Sequence, residues 1–164
     1  MSKKNKVIAI IPARGGSKGI KRKNLINFCG KPLIYWTINQ CVKSKLIKDV
    51  WVSSDNEEIL DFSKNQNVNT IKRPKNISHS NSTSEEAWLH AINIIEQNHN
   101  FDLIIAPQVT SPVRDNDELD KAIKFFIKKK YDSIFSGEEI KDYFVWEKKF
   151  NKIRPINYLL KKRL

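Results

Sequence analysis

The sequence predicts an α/β fold, a mainly parallel sheet with helices on both faces. Three observations predict it. Short runs rich in Val and Ile alternate with stretches whose apolar residues recur at helical spacing. Three of those helical stretches open with a capping signature, a polar residue followed by Glu three positions later. The first apolar run, Val-Ile-Ala-Ile-Ile over 7–11, lacks polar alternation, as a strand covered on both faces does.

The first strand covers 6–12 and ends at Pro12, just ahead of a loop with a Gly-Gly pair. Pro32 fits the first turn of a helix in which Ile34, Ile38, Cys41 and Val42 share one side, because a first turn does not use the N–H that Pro lacks. Residues 49–53 (DVWVS) form the second strand. Asp55 with Glu58 then caps a helix carrying Ile59 and Phe62, and 68–71 makes a short third strand. Thr83 with Glu86 opens a helix through Ala87, Trp88, Ala91, Ile92 and Ile95. Residues 103–106 are the fourth strand, with Asp102 a structural residue at its start. Asp115 with Glu118 precedes a helix whose Leu119, Ile123, Phe126 and Ile127 share a face, and 131–136 reads as a fifth strand. After Gly137 the alternation stops: 143–146 and 154–158 read as extended, with no regular helix after them.

At 164 residues and 19.1 kDa the chain suits a single compact domain. Its apolar runs fall far short of the roughly 20 residues a membrane helix needs, so no membrane partner is expected. Lys3, Lys4 and Lys6 ahead of Val7 imitate a signal peptide, but the apolar run is too short and Arg14 interrupts it. Cys29 and Cys41 lack metal-ligand spacing, which favours a reducing, cytoplasmic setting. His79, His90 and His99 form no ligand pattern and receive no role.

The net charge of +12 and pI of about 9.7 raise nucleic acid as a partner. Lys supplies 24 of the 30 basic residues, in a composition also rich in Ile and Asn as an AT-biased gene would be. The charge therefore reads as diffuse and solvated, and no nucleic-acid partner is expected. The scarce arginines are more informative. Arg14, Arg22, Arg73 and Arg114 each fall in a loop after a strand, and a guanidinium fork suits phosphate and carboxylate. In a parallel sheet such loops converge on one crevice, which Arg14, Arg73 and Arg114 would share.

The loop over 12–24, PARGGSKGIKRKN, combines glycines that let backbone N–H groups approach an anion, a Ser hydroxyl and five cations. That chemistry fits a polyphosphate. No GK[ST] closes the loop and no GxGxxG is present, so neither the P-loop nor the dinucleotide fingerprint applies.

This loop, followed by GKPLIYWT over 30–37, resembles the opening of the CMP-sialic acid synthetase, or acylneuraminate cytidylyltransferase, family. Further similar segments follow in order: VSSD over 52–55, Arg73-Pro74, PQVTSPVR over 107–114 and RPINY over 154–158. The resemblance implies a Rossmann-like sheet of the nucleotide-diphospho-sugar transferase type. It implies an α/β core over 1–137 and, over 138–164, the incomplete start of an extension used in dimerisation. It further implies transfer of CMP from CTP to a nonulosonic, sialic-type acid with release of pyrophosphate, assisted by Mg²⁺. The setting would be a cytoplasmic homodimer supplying lipopolysaccharide or capsule synthesis.

By the same resemblance Ala13, Arg14, Gly15, Ser17, Lys23, Asn24, Arg73 and Ser84 would bind the nucleotide. Arg14 and Lys23 would act catalytically by stabilising charge on the triphosphate. Gln108, Thr110, Ser111 and Arg114 would face the sugar acid, although Arg114 could equally pin its own loop. Asp55 could approach a metal, but a helix cap explains it better. Ser80 stands where the family often has Asp. The family's metal-binding aspartate pair falls beyond Leu164, so no residue is assigned to the metal and the sheet's last strand is expected to be missing. Two alternatives stay open: a CTP-binding homologue without turnover, and a basic nucleic-acid-binding module. The Kdo-activating enzyme is the nearest enzymatic rival, and its opening loop usually lacks the Gly-Gly-Ser-Lys-Gly run. Neuraminic, legionaminic and pseudaminic acids are not distinguished.

Overall fold

A computed structural model describes residues 5–17, 19–137, 146–149 and 152–155, and the chain divides into two compact units, 1–130 and 131–164. In the first unit β1 (Val7–Pro12), β4 (Ile47–Ser54), β5 (Asn69–Lys72) and β6 (Leu103–Ile105) form a parallel sheet in the order β5-β4-β1-β6. Between them run α1 (Leu33–Lys43), α2 (Glu57–Lys64) and α3 (Ser84–Ile95), and α4 (Glu118–Lys129) follows β6.

The sheet is covered on both faces, as the unbroken apolar run of β1 predicts. Val7, Ala9 and Ile11 point into one core with Ile34, Ile38 and Cys41 of α1, Ile59 of α2 and Ile123 of α4. Ile8 and Ile10 point into the other, with Trp51, Ile71 and the α3 residues Ala91 and Ile95. Side chains alternate faces along a strand, so one central strand must be apolar at every position to serve both cores. No residue of β1 from Val7 to Ile11 is more than 2% exposed.

Several local readings are corrected. A small antiparallel hairpin, β2 (Asn27–Phe28) with β3 (Lys31–Pro32), precedes α1. Its turn residues Cys29 and Gly30 both have positive φ, 52° and 82°, which suits a two-residue hairpin loop, and the Asn27 carbonyl Oδ1 accepts the Gly30 N–H at 2.9 Å. Pro32 is thus the cap position of α1 rather than part of its first turn. Asp55 does not cap α2. Asn56 does, its Oδ1 accepting the Ile59 N–H at 3.1 Å. The Thr83–Glu86 capping box forms with both bonds, at 3.2 and 2.8 Å. The Asp115–Glu118 signature forms only half: Glu118 accepts the Asp115 N–H at 3.2 Å, and the helix starts at Glu118. Asp102 is structural as expected, accepting the Lys6 N–H at 2.7 Å.

In the second unit 131–136 forms no strand, and Phe135 is 95% exposed. Strand-like composition becomes a strand only where a ladder forms along it. An antiparallel hairpin, β7 (Trp146–Lys149) with β8 (Lys152–Pro155), lies further along. Of the extended readings, Trp146 falls in β7 and Arg154-Pro155 in β8; 143–145 and 156–158 lie outside the described residues. Among the described residues no helix is long and apolar enough to cross a membrane.

Candidate functional site

A cleft of about 260 Å³ is lined by the loops that follow β1, β5 and β6, at the carboxyl ends of those strands. The loop after β1 contributes Pro12, Arg14, Ser17, Lys23 and Asn24; the loop after β6 contributes Gln108, Val109 and Thr110. Between them lies the segment after β5, with Arg73, Ile77 and five hydroxyl side chains: Ser78, Ser80, Ser82, Thr83 and Ser84.

The loops are tied to one another by backbone groups. The Ala13 N–H continues the β1–β4 ladder to the Ser53 carbonyl at 2.9 Å, and Ala13 itself is fully buried beneath the cleft. Asn24 sits in a one-turn helix over Lys23–Leu25, entered through Arg22 at φ 54°, and its Nδ2 donates to the Arg14 carbonyl at 2.8 Å. Arg14 Nη1 reaches across to donate to the His79 carbonyl at 2.7 Å. The first loop and the hydroxyl-rich segment therefore share one wall.

Arg73 is the residue least satisfied by the protein itself. It is only 5% exposed, its N–H donates to the Ser54 carbonyl at 2.8 Å, and its Nε and Nη2 have no partner. Burial, with the nearby Arg14 charge, lowers its pKa, and Asp55 pulls the other way. Arginine stays protonated in proteins, so Arg73 brings to the cleft lining a charged group two of whose nitrogens have no partner in the protein. Leaving such donors unpaired is costly, and an acceptor from outside the chain would satisfy them. Among the described residues no carboxylate lines the cleft, whereas Arg14, Lys23 and Arg73 do.

Four of the sequence-read residues lie outside this lining. Ala13 is buried below it, Ser111 is exposed, and the Gly15 N–H is taken by Asp55 Oδ1 at 2.8 Å. Arg114 pins its loop: Nη1 donates to Gln40 Oε1 at 2.7 Å and Nη2 to the Gln108 carbonyl at 3.0 Å. Gln40 completes the clamp by donating to the Pro112 carbonyl at 2.8 Å. Arg22 pairs with Glu58 on the surface, and Lys18 lies outside the described residues.

Sequence reasoning missed Ser78 and Ser82 as lining residues, and read Thr83 only as a cap. The run SHSNSTS was the available signal. His90, given no role, sits near Arg73: burial, then the Arg73 charge, lowers its pKa, and its Nδ1 has no partner. Cys41 is a core residue whose thiol is pushed up to about 12 by burial, with Arg114 pulling it down. Among the described residues no three His, Cys, Asp or Glu side chains converge as metal ligands would.

The family model described as Cytidylyltransferase matches residues 8–155, most of the chain. The chain belongs to the cytidylyltransferase family. It is 37% identical over 136 residues to the pseudaminic acid cytidylyltransferase of Campylobacter jejuni subsp. jejuni serotype O:2, covering 82% of this chain and 59% of that protein. It is 38% identical over 135 residues to N-acylneuraminate cytidylyltransferase A of Danio rerio, covering 82% of this chain and 30% of that one. The fold is similar to that of a CMP:2-keto-3-deoxy-manno-octonic acid synthetase solved with CTP, with a TM-score of 0.66 at 18% identity over 76% of this chain and 48% of that one. The cytidylyltransferase chain thus spans between about a third and three-fifths of the length of these curated relatives. The parallel core and the cleft described above fall within the matched residues.

Proposed function

We propose that this chain carries the nucleotide site of an enzyme that transfers CMP from CTP to a nonulosonic acid and releases pyrophosphate. The observation that supports it best is Arg73, a buried guanidinium with two unpartnered nitrogens, in a cleft it shares with Arg14 and Lys23 and to which no described carboxylate contributes. CTP would supply acceptors to Arg73 from its base and ribose, and its triphosphate would supply the negative charge that offsets Arg14 and Lys23.

In this reading a sugar hydroxyl attacks the α-phosphorus of CTP. The new P–O bond forms as the bond to pyrophosphate breaks, the hydroxyl gives up its proton to solvent, and negative charge moves onto the leaving group. Such a displacement needs positioning and cations more than a protein nucleophile. Arg14 and Lys23 would hold the phosphates and stabilise that charge, with Ser17 adding a hydroxyl. Asn24, Arg73 and Ser84 would face the base and ribose. Gln108 and Thr110 would take the sugar acid, and Arg114 would serve them by holding the Gln108 carbonyl. Mg²⁺ belongs to the proposed reaction, where it would offset charge on the phosphates.

The test is pyrophosphate release from CTP and Mg²⁺ with a panel of neuraminic, legionaminic, pseudaminic and Kdo acids, run beside a thermal shift with each of the four nucleoside triphosphates. Release with one nonulosonic acid and a shift selective for CTP are the expected results. A CTP-selective shift without release would leave a binding unit that needs more chain for turnover. A shift indifferent to the base would overturn the nucleotide assignment.

A further inference from the structure

Asp55 lies directly after β4, on the turn into α2, and it is not the cap of that helix. Asn56 caps α2 instead. The Asp55 carboxylate is turned toward the loop after β1, where its Oδ1 accepts the Gly15 N–H at 2.8 Å. The contact between the two loops is close. A Cβ on Gly15 would come within 2.6 Å of Asn56 Cβ, so only glycine lets the backbone sit there. The turn carrying Asp55 is itself fixed, because the Asn56 N–H donates to Ser54 Oγ at 3.1 Å. The Ser54 carbonyl meanwhile holds the Arg73 N–H. One short segment, Ser54-Asp55-Asn56, therefore touches the backbone on both sides of the cleft, next to Arg14 and at Arg73.

We infer that Asp55 is a positioning residue for the phosphate-binding loop: by accepting the Gly15 N–H it sets the path of residues 14–17 and so the placement of Arg14 and Ser17. The inference deepens the nucleotide reading and rests on it. It also changes the reading of Gly15, whose N–H is used within the protein rather than offered to a phosphate. The hydrogen-bond acceptor is the essential feature. A negative charge at this place would by itself repel a triphosphate, and the fixed loop offsets that cost.

The variants Asp55→Asn and Asp55→Ala separate acceptor from charge, because Asn keeps an Oδ1 that can take the Gly15 N–H. Titration calorimetry would measure CTP, CMP and inorganic tripolyphosphate on each. Asp55→Ala should weaken CTP and tripolyphosphate by about tenfold or more, the scale of one charge-assisted hydrogen bond. CMP, with one phosphate, should change by no more than about threefold, and Asp55→Asn should stay within about threefold of the parent for all three ligands. A merely structural residue would weaken CMP and CTP alike. Amide NMR gives a second readout, in which the Gly15 N–H resonance should shift in Asp55→Ala and stay near its parent position in Asp55→Asn. The inference is overturned if Asp55→Ala binds tripolyphosphate like the parent, if Asp55→Asn falls as far as Asp55→Ala, or if the Gly15 resonance is the same in Asp55→Ala as in the parent. A parent that shows the tripolyphosphate pattern without preferring CTP over ATP would overturn the nucleotide reading alone, while one that binds neither would overturn both.

Discussion

Arg73 shows how a residue's surroundings can point to a ligand that the protein itself does not contain. Its buried guanidinium keeps two donors free, and the charge of Arg14 nearby makes that position less favourable still. Such a group weakens the unliganded fold and strengthens the complex. Arg73→Ala should therefore lower CTP affinity by about 2 kcal/mol while leaving the unliganded protein's melting temperature unchanged or raised. Calorimetry with a parallel thermal melt checks both halves, and a large fall in the unliganded melting temperature would mean that Arg73 is held for the fold instead. Arg114 makes the contrast. The sequence places it near the same crevice, but its donors are spent on Gln40 and on the Gln108 carbonyl. Two arginines on neighbouring loops thus differ in role because one finds acceptors within the chain and the other does not.

At the scale of elements, α3 joins the fold to the site. Its first turn is fixed by the Thr83–Glu86 box, while Ser82, Thr83 and Ser84 line the cleft. Helix stability and cleft shape are thereby coupled. Thr83→Ala should cost about 1 kcal/mol in urea unfolding, the usual worth of a cap, and should weaken CTP binding as the serine segment loses its anchor. Unfolding without a change in binding would show that the segment is held elsewhere. The sequence exposed this cap because both of its partners lie within four residues. It misassigned the cap of α2 because Asp55 and Asn56 are adjacent and equally able to cap. Gly15, some forty positions away in the chain, engages the first and leaves the second for the helix.

At the scale of the molecule, two titratable groups, half-buried His90 and buried Asp120, contribute to how stability depends on pH. His90 resists protonation, first through burial and then through the Arg73 charge. The unfolded chain takes up that proton more readily, so the stability it confers is whole above about pH 6.5 and declines as pH falls through the lowered folded value. Asp120 acts lower down. Burial opposes its ionisation, but the Ser44 hydroxyl, the Lys45 and Leu46 N–H groups and the Lys124 charge outweigh burial and hold the carboxyl below its usual range. Its contribution is present above the ordinary carboxylate value and is lost as pH falls below it. Urea unfolding between about pH 8 and pH 3 should show two separate declines, His90→Gln removing the upper and Asp120→Ala the lower. A single decline that neither variant alters would count against both assignments.

Local spacing was enough to determine the alternation of strands and helices, the doubly covered β1 and the box at Thr83, because periodicity, capping and burial on two faces are written in residues a few positions apart. The cation-bearing loops could be read from the same text, since parallel strands bring their carboxyl-end loops together whatever the details. Only the tertiary structure decided which acceptor meets which donor across the sheet. It gave Asp55 to Gly15, Arg114 to Gln40 and no partner to Nε and Nη2 of Arg73. It also left 131–136 without a ladder despite its strand-like composition. A hydrogen bond between residues 40 or 70 apart depends on where the whole backbone runs, and no local pattern carries that information.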